Sequence, residues 1–185
     1  MMKNDKYNVS HGEKKELSET KILMKRLLIL MVALGSFWLF SKYVMSLNFI
    51  SGNSMNPYIY DNGIVLTNTG NFELNRYSVY IIDMPDGNGY KSANAIKRLV
   101  GMPNDTLQFI DGTILINGER IIDEYDYYTI DGGSYNDEII NLSEDEYFFV
   151  GDNRNHSYDS REYGVITENE IFGEVIKVLY KGNKE

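Results

Sequence analysis

Three short blocks of this 185-residue chain hold the side chains that could do chemistry. The first reads Ser51-Gly52-Asn53-Ser54-Met55-Asn56-Pro57. Its composition is that of a turn, and a serine hydroxyl in a turn is inert unless a base removes its proton. Gly52 permits close backbone approach and Pro57 stiffens the exit. The second block reads Ala95-Ile96-Lys97-Arg98-Leu99-Val100-Gly101-Met102-Pro103. Strand alternation puts Lys97 on one face with Ala95 and Leu99, both apolar. Such a lysine is either an edge residue whose stem reaches back to water or a desolvated amine. In the second case burial lowers its pKa and makes a neutral amine available as a general base.

The third block runs from Gly151-Asp152-Asn153-Arg154 through Asn155-His156-Ser157-Tyr158 to Asp159-Ser160-Arg161. Its density of Asp, Asn and Ser suits a polar turn. Its two Asp and two Arg can also cross-brace a loop by bidentate pairs. His156 opens a second route to an activated serine, a Ser-His-Asp triad with Ser54 and an aspartate. A lone histidine in a polar loop is more often solvated, and Lys97 is the better base.

The elements that must position these blocks read as β. After Ile50 the helical period disappears, and short runs of β-branched and aromatic residues alternate with turn signals. The expected strands are residues 63–67, 77–82, 95–100, 106–110, 113–116, 146–150 and 174–180. Asp111-Gly112 suits a type I′ hairpin, where both central positions need positive φ, and Asn117-Gly118 repeats the signal. Together they suggest a meander. Thr167 followed by Glu170 is a capping pattern for one short helix, TENEIF. Residues 123–141 are acidic and tyrosine-rich, as in a surface excursion. A body of 138 residues is large enough to bury a core.

The N-terminal part is different in kind. Residues 1–26 carry seven basic and four acidic side chains, net +3. Residues 48–185 carry ten basic and 23 acidic, net −13. Between them, residues 27–47 contain one charge, Lys42. That rod is roughly 31 Å long as a helix, about one bilayer core. Lys42 can snorkel at the far end, where Trp38 and Tyr43 suit the interface. The expected organisation is a basic cytoplasmic tail (1–26), a transmembrane anchor (27–47) and an exported body (48–185). A cleaved secretory signal ending near Ser46 and a buried soluble helix are the alternatives. Residues 1–20 are polar and expected to lack order. The chain has no cysteine, so it has no disulfide framework, thiolate metal site or cysteine nucleophile. Two histidines are too few for a His-rich metal site. An acidic chain without a basic stripe is a poor nucleic-acid binder.

Taken in order, SGNSMNP, IKRLVGMPND and GDNRNHSYDSREYGVI resemble the motif boxes of bacterial type I signal peptidases, membrane-anchored proteases with a Ser-Lys dyad. The likeness runs from about Leu47 to the C-terminus. GDNR followed by S-x-DSR is the most specific part. The single anchor and short body resemble the small Gram-positive-like members. The resemblance implies a mainly β catalytic domain behind one transmembrane helix. It implies cleavage of signal peptides from exported preproteins, with small residues preferred at the first and third positions before the cut. Its partners are preprotein signal peptides and the lipid bilayer, and it implies no metal and no cofactor.

Residue by residue, Ser54 resembles the family's nucleophile and Lys97 its general base. Ser157 resembles the serine that orients the lysine. Asp152, Arg154, Asp159 and Arg161 match positions that brace the site, and Met55 a residue packed beside the nucleophile. Three positions depart from the pattern. Gly52 stands where some members have a serine that donates to the oxyanion, so the Ser54 N–H carries more of that role. Asn104 replaces a glycine, and asparagine tolerates the left-handed region. Tyr58 replaces the usual threonine. Rival readings are a Ser-Lys protease with a narrower processing task, an anchored preprotein-binding protein without catalysis, and a repressor-type autoprotease. The intact Ser54 and Lys97 disfavour the second, and the apolar rod and GDNR block disfavour the third.

Overall fold

The computed structural model describes residues 3–85, 91–110, 113–121 and 138–184. The chain divides into two units, residues 1–43 and 44–185. The first is part of a single long helix, α1 (Lys3–Val44). The basic tail, expected to be irregular, is therefore helical: once the apolar rod has formed, each further residue adds a hydrogen bond without a new nucleus. Within α1, Glu19–Phe40 is long and apolar enough to cross a membrane, and every side chain in that stretch is exposed.

The second unit is mainly β. The expected anchor end, Met45 to Leu47, is instead the start of strand β1 (Met45–Phe49). β1 pairs with β2 (Ile64–Asn68), matching Met45 to Asn68 and Phe49 to Ile64. Its alternation is inverted: Met45, Leu47 and Phe49 are exposed, while Ser46 and Asn48 face the sheet. There Asn48 Nδ2 donates to Thr67 Oγ1 (2.6 Å), and Ser46 Oγ lies 2.7 Å from the same hydroxyl. Read by hydropathy alone, this strand continues the rod.

The remaining strands are β3 (Val79–Pro85), β4 (Lys91–Gly101), β5 (Thr106–Ile110), β6 (Thr113–Ile116), β7 (Glu119–Arg120), β8 (Ile139–Asn141), β9 (Glu146–Val150), β10 (Ile166–Thr167) and β11 (Ile171–Tyr180). One sheet has the order β1-β2-β11-β3-β4-β9-β10 and a second the order β7-β6-β5-β8. The pairings are antiparallel. The expected meander is β5-β6-β7. Asp111-Gly112 lie outside the described residues, but Ile110 pairs with Thr113, as a two-residue loop requires. Asn117 and Gly118 have φ of 54° and 84°, the positive pair that a type I′ turn needs. Most of the acidic excursion, residues 123–137, also lies outside the described residues, but its end forms β8 against β5.

Thr167 and Glu170 form the expected capping box. The helix stops after one 3-10 turn (Glu168–Glu170), because Ile171 of β11 already pairs with Ile82 of β3. Tertiary pairing of an apolar β-branched residue outweighs local helix preference. The core lies in three clusters. Phe109, Ile114, Ile116 and Leu107 of the small sheet pack on Val100, Phe148 and Val150. Tyr80, Ile82, Leu99 and Phe149 form a second group, and Met55, Ile59, Val65 and Ile96 a third.

Candidate active site

The first block leaves β1 at Ile50, whose N–H donates to the Gly63 carbonyl (2.8 Å) and closes the loop between them. Inside the loop, Gly52 sits at φ +96°, where a side chain would be strained, and its N–H donates to Asp61 Oδ1 (2.7 Å). Met55 is fully buried among Ile50, Ile59 and Ile96, as expected of a residue packed beside Ser54. Its carbonyl accepts from the Ile59 N–H (2.9 Å), and Ser54 is thus fastened to the core through its neighbour.

The second block is β4, held by β3 in the register Tyr80 to Lys97 and Ile81 to Ile96. Lys97 is 4% exposed. Its Nζ lies 2.9 Å from Ser54 Oγ and 3.1 Å from the Ile96 carbonyl oxygen. The contact with Ser54 serves either protonation state: the ammonium donates to Oγ, and the neutral amine accepts the hydroxyl proton. Burial strips water from the ammonium and lowers the Lys97 pKa to about 8; the Asp159 and Asp152 carboxylates oppose this and Arg161 adds to it. The desolvated reading of the lysine is the one that its burial supports.

The sign of the stability effect follows. Folded Lys97 binds fewer protons than unfolded Lys97 between pH 8 and 10.5, so stability rises with pH across that window. Below pH 8 the cost of burying the ammonium is fully present, and it is gone above 10.5. Lys97→Met keeps the length and removes the charge. It should stabilise the domain at pH 7 by about 1–3 kcal/mol. Urea denaturation at pH 7 checks this, and a clear loss of stability would mean that Lys97 is a charged structural partner.

The third block supplies the frame. Asp159 caps the short helix α2 (Ser160–Tyr163), and its Oδ2 accepts from the Gly151 N–H (2.8 Å). It also makes a bidentate pair with Arg161, Nε to Oδ1 and Nη2 to Oδ2, both 2.8 Å. Arg161 Nη2 donates to the Arg154 carbonyl (2.9 Å), and Arg154 Nε donates to the Gly151 carbonyl (3.0 Å). The expected cross-bracing within the block holds for Asp159 and Arg161. Asp152 makes a bidentate pair outside the block, with Arg98 of β4 (2.7 and 2.6 Å), because β4 and β9 match Arg98 to Val150 beside it. Arg98 also donates to the Tyr77 carbonyl (2.6 Å) and lies over the Tyr58 ring (4.9 Å from its centroid). Tyr58 at this position thus serves as a face for a buried guanidinium.

Two expectations differ from the geometry. Ser157 Oγ makes no hydrogen bond to Lys97; it is buried without a partner among the described residues, against Gly151. The Ile96 carbonyl takes the second contact of the amine instead. His156 is exposed and its Nδ1 faces Asn153 Oδ1 (3.3 Å), so the protein group that meets Ser54 Oγ is the amine of Lys97, not an imidazole. Asn104 does occupy the left-handed region, with φ 67°.

Sequence reasoning missed two residues that join the blocks. Asn153 donates from its backbone to the Ser54 carbonyl (2.9 Å) and from its side chain to the Asn53 carbonyl (3.0 Å). Arg98 locks β4 to the third block. The only signal for either was its place beside a motif residue. Gly151 must be glycine for a related reason: a Cβ there would fall on Ser157 Oγ and 2.5 Å from the Ser54 carbonyl oxygen. Ser54 and Lys97 open onto a cleft of about 380 Å³, whose walls include Asn48 to Ser51, Ile81 and Asn94 to Ile96. No cluster of metal-binding side chains occurs among the described residues.

A serine hydroxyl against a buried amine, at the edge of a cleft, is the equipment of a hydrolase that attacks through serine. Comparison with known proteins gives the family. Residues 23–180 match the family described as signal peptidase, peptidase S26. A signal peptidase I P of Bacillus subtilis subsp. natto is 29% identical over 87% of this chain and 89% of its own length. Signal peptidase I of Bacillus amyloliquefaciens is 30% identical over 84% of each chain. Signal peptidase IB of Staphylococcus aureus strain Mu50 is 26% identical over 84% of this chain and 88% of its own. A crystal structure of a signal peptidase I from Enterococcus faecalis V583 matches with TM-score 0.46 and 24% identity, covering 56% of this chain and 97% of that one. The chain belongs to the signal peptidase family, peptidase S26, and is a hydrolase of the signal peptidase I kind.

Proposed function

We propose that this protein is a membrane-anchored endopeptidase that removes N-terminal signal peptides from exported preproteins, with Ser54 as nucleophile and Lys97 as general base. The observation that carries this reading is the 2.9 Å contact between Lys97 Nζ and Ser54 Oγ, with the amine buried and its pKa lowered to about 8. At pH 8 about half of such lysines are neutral. Neutral Lys97 takes the Ser54 proton as Oγ attacks the scissile carbonyl carbon. The tetrahedral intermediate collapses, the C–N bond breaks, and the new ammonium returns the proton to the leaving amine. Water then attacks the acyl-enzyme, losing its proton to Lys97, and Ser54 Oγ leaves with that proton.

The substrate fits the cleft as an extended segment. Among the described residues, β9 pairs with β4 only from Arg98 onward, which leaves the β4 edge at Asn94 to Ile96 without a strand partner on the cleft side. An added strand would find backbone partners there. Small pockets would exclude large side chains near the cut by steric clash. Anchoring rests on Glu19–Phe40, whose exposed apolar surface suits lipid. Lys21, Lys25 and Arg26, beside the apolar stretch, favour a cytoplasmic N-terminus with the acidic body outside.

Membranes containing the full chain should cut a preprotein at an Ala-x-Ala site, and sequencing of the product should give one new N-terminus. Failure to cut several such preproteins would sink the reading. The same cells report orientation. Protease added to intact spheroplasts should degrade the body and spare residues 1–26; a protected body would contradict the topology.

A further inference from the structure

The Asn53 carbonyl is held twice, by the Asn56 N–H (3.1 Å) and by Asn153 Nδ2 (3.0 Å). The cis peptide bond of the described chain is Asn56-Pro57, so the Asn53–Ser54 bond is trans. In a trans peptide the N–H points opposite to the C=O. Pinning the Asn53 oxygen therefore fixes the direction of the Ser54 N–H. That N–H donates to no acceptor among the described residues, although Ser54 lines the cleft. The Ser54 carbonyl is held separately by the Asn153 backbone N–H (2.9 Å). The amide orientation of Asn153 is determined by its surroundings: the Asn53 oxygen requires a donor, which leaves Oδ1 to face His156 Nδ1 (3.3 Å).

We propose that Asn153 is the positioning residue of the oxyanion hole: its side-chain amide clamps the Asn53–Ser54 peptide so that the Ser54 N–H is aimed at the oxygen that becomes negative during attack on Ser54. This rests on Ser54 being the nucleophile. Donation into the Asn53 oxygen also polarises that amide and strengthens its N–H as a donor. Gly52 offers no hydroxyl to share the task, so the backbone donor and its clamp carry more of the stabilisation.

Asn153→Ala keeps the backbone bond to Ser54 and removes the clamp, together with the exposed Oδ1 contact to His156. It should lower kcat about 10- to 100-fold with KM nearly unchanged, since the lost contact acts on the transition state. The pH at which kcat/KM rises should not move, because Lys97 is untouched. Two probes separate aiming from general damage. In a peptide aldehyde ending in Ala-x-Ala, Ser54 Oγ adds to the carbonyl carbon, its proton goes to Lys97 and the carbonyl oxygen becomes the oxyanion. A matched peptide with a methylene in place of that carbonyl binds without an oxyanion. Asn153→Ala should weaken the aldehyde by the same 10- to 100-fold and leave the methylene peptide unchanged. Asn153→Asp, which cannot donate, should behave at least as badly. Rates are taken per folded molecule, with folding followed by circular dichroism. Equal weakening of both probes, or cleavage at the parent rate, overturns the proposal. Ser54→Ala run in parallel keeps the two readings apart. If it is inactive while Asn153→Ala cleaves at the parent rate, only the role of Asn153 falls; if it stays active, the nucleophile assignment falls first.

Discussion

Ser54→Ala and Lys97→Ala should each lower kcat/KM for preprotein cleavage on the order of 10⁴-fold or more, with the fold intact. A serine hydroxyl gives up its proton only to a base in contact with it, and the contact here is Lys97 Nζ at 2.9 Å. The two act as one unit, so Ser54→Ala/Lys97→Ala should be barely worse than either single variant. The rise of kcat/KM with pH reports the free enzyme, and it should fall near the Lys97 pKa of about 8 rather than near 10.5. Burial makes this possible, and the net effect of Asp159, Asp152 and Arg161 around the amine does not cancel it. A Lys97→Ala enzyme that kept most of its rate while His156→Ala lost it would restore the histidine triad.

Asp152→Ala should destabilise the catalytic unit by about 3–5 kcal/mol, because it leaves the Arg98 guanidinium buried without its carboxylate. Asp152 is fully buried and the pair is bidentate, with contacts of 2.7 and 2.6 Å. The Tyr77 carbonyl and the Tyr58 ring remain on Arg98 and cannot neutralise it. Urea denaturation of the full chain in detergent measures the loss; a cost under about 1 kcal/mol would place the pair with weak surface bridges. A second readout is independent of stability. The Asp152 carboxylate holds the Lys97 pKa up, so its removal should shift the rise of kcat/KM to lower pH. Replacing Asp152 by Asn should give the same direction, since an amide fills the space but not the charge.

Much of this protein is legible in one dimension because its signals are local. An apolar rod with basic residues before it is a composition, and a helix needs little more. The strands of the two sheets show through period-2 runs, and Asn117-Gly118 makes its turn because few other pairs tolerate positive φ twice. The blocks around Ser54, Lys97 and Asp159 are recognisable for the same reason: each is a short run whose residue types serve one task.

What the line of residues left open were the matters decided by partners far apart in the chain. β1 is a strand only because β2 offers it a ladder and Thr67 a partner for Ser46 and Asn48; the residues Met45, Leu47 and Phe49 alone continue an apolar rod. Asp152 had two arginines in its own block, and its bidentate pair with Arg98, from another strand, exists because the β4–β9 register brings that guanidinium to it. Asn153 looked like one polar turn residue among several, and its task appears only when the loop lies against Asn53 and Ser54, about a hundred residues earlier in sequence. Even the chemistry of Lys97 belongs to this class. Its type was visible, but the burial that lowers its pKa comes from the packed fold around β4, and a solvated lysine on the same strand would still be charged at pH 8, where about half of Lys97 is neutral.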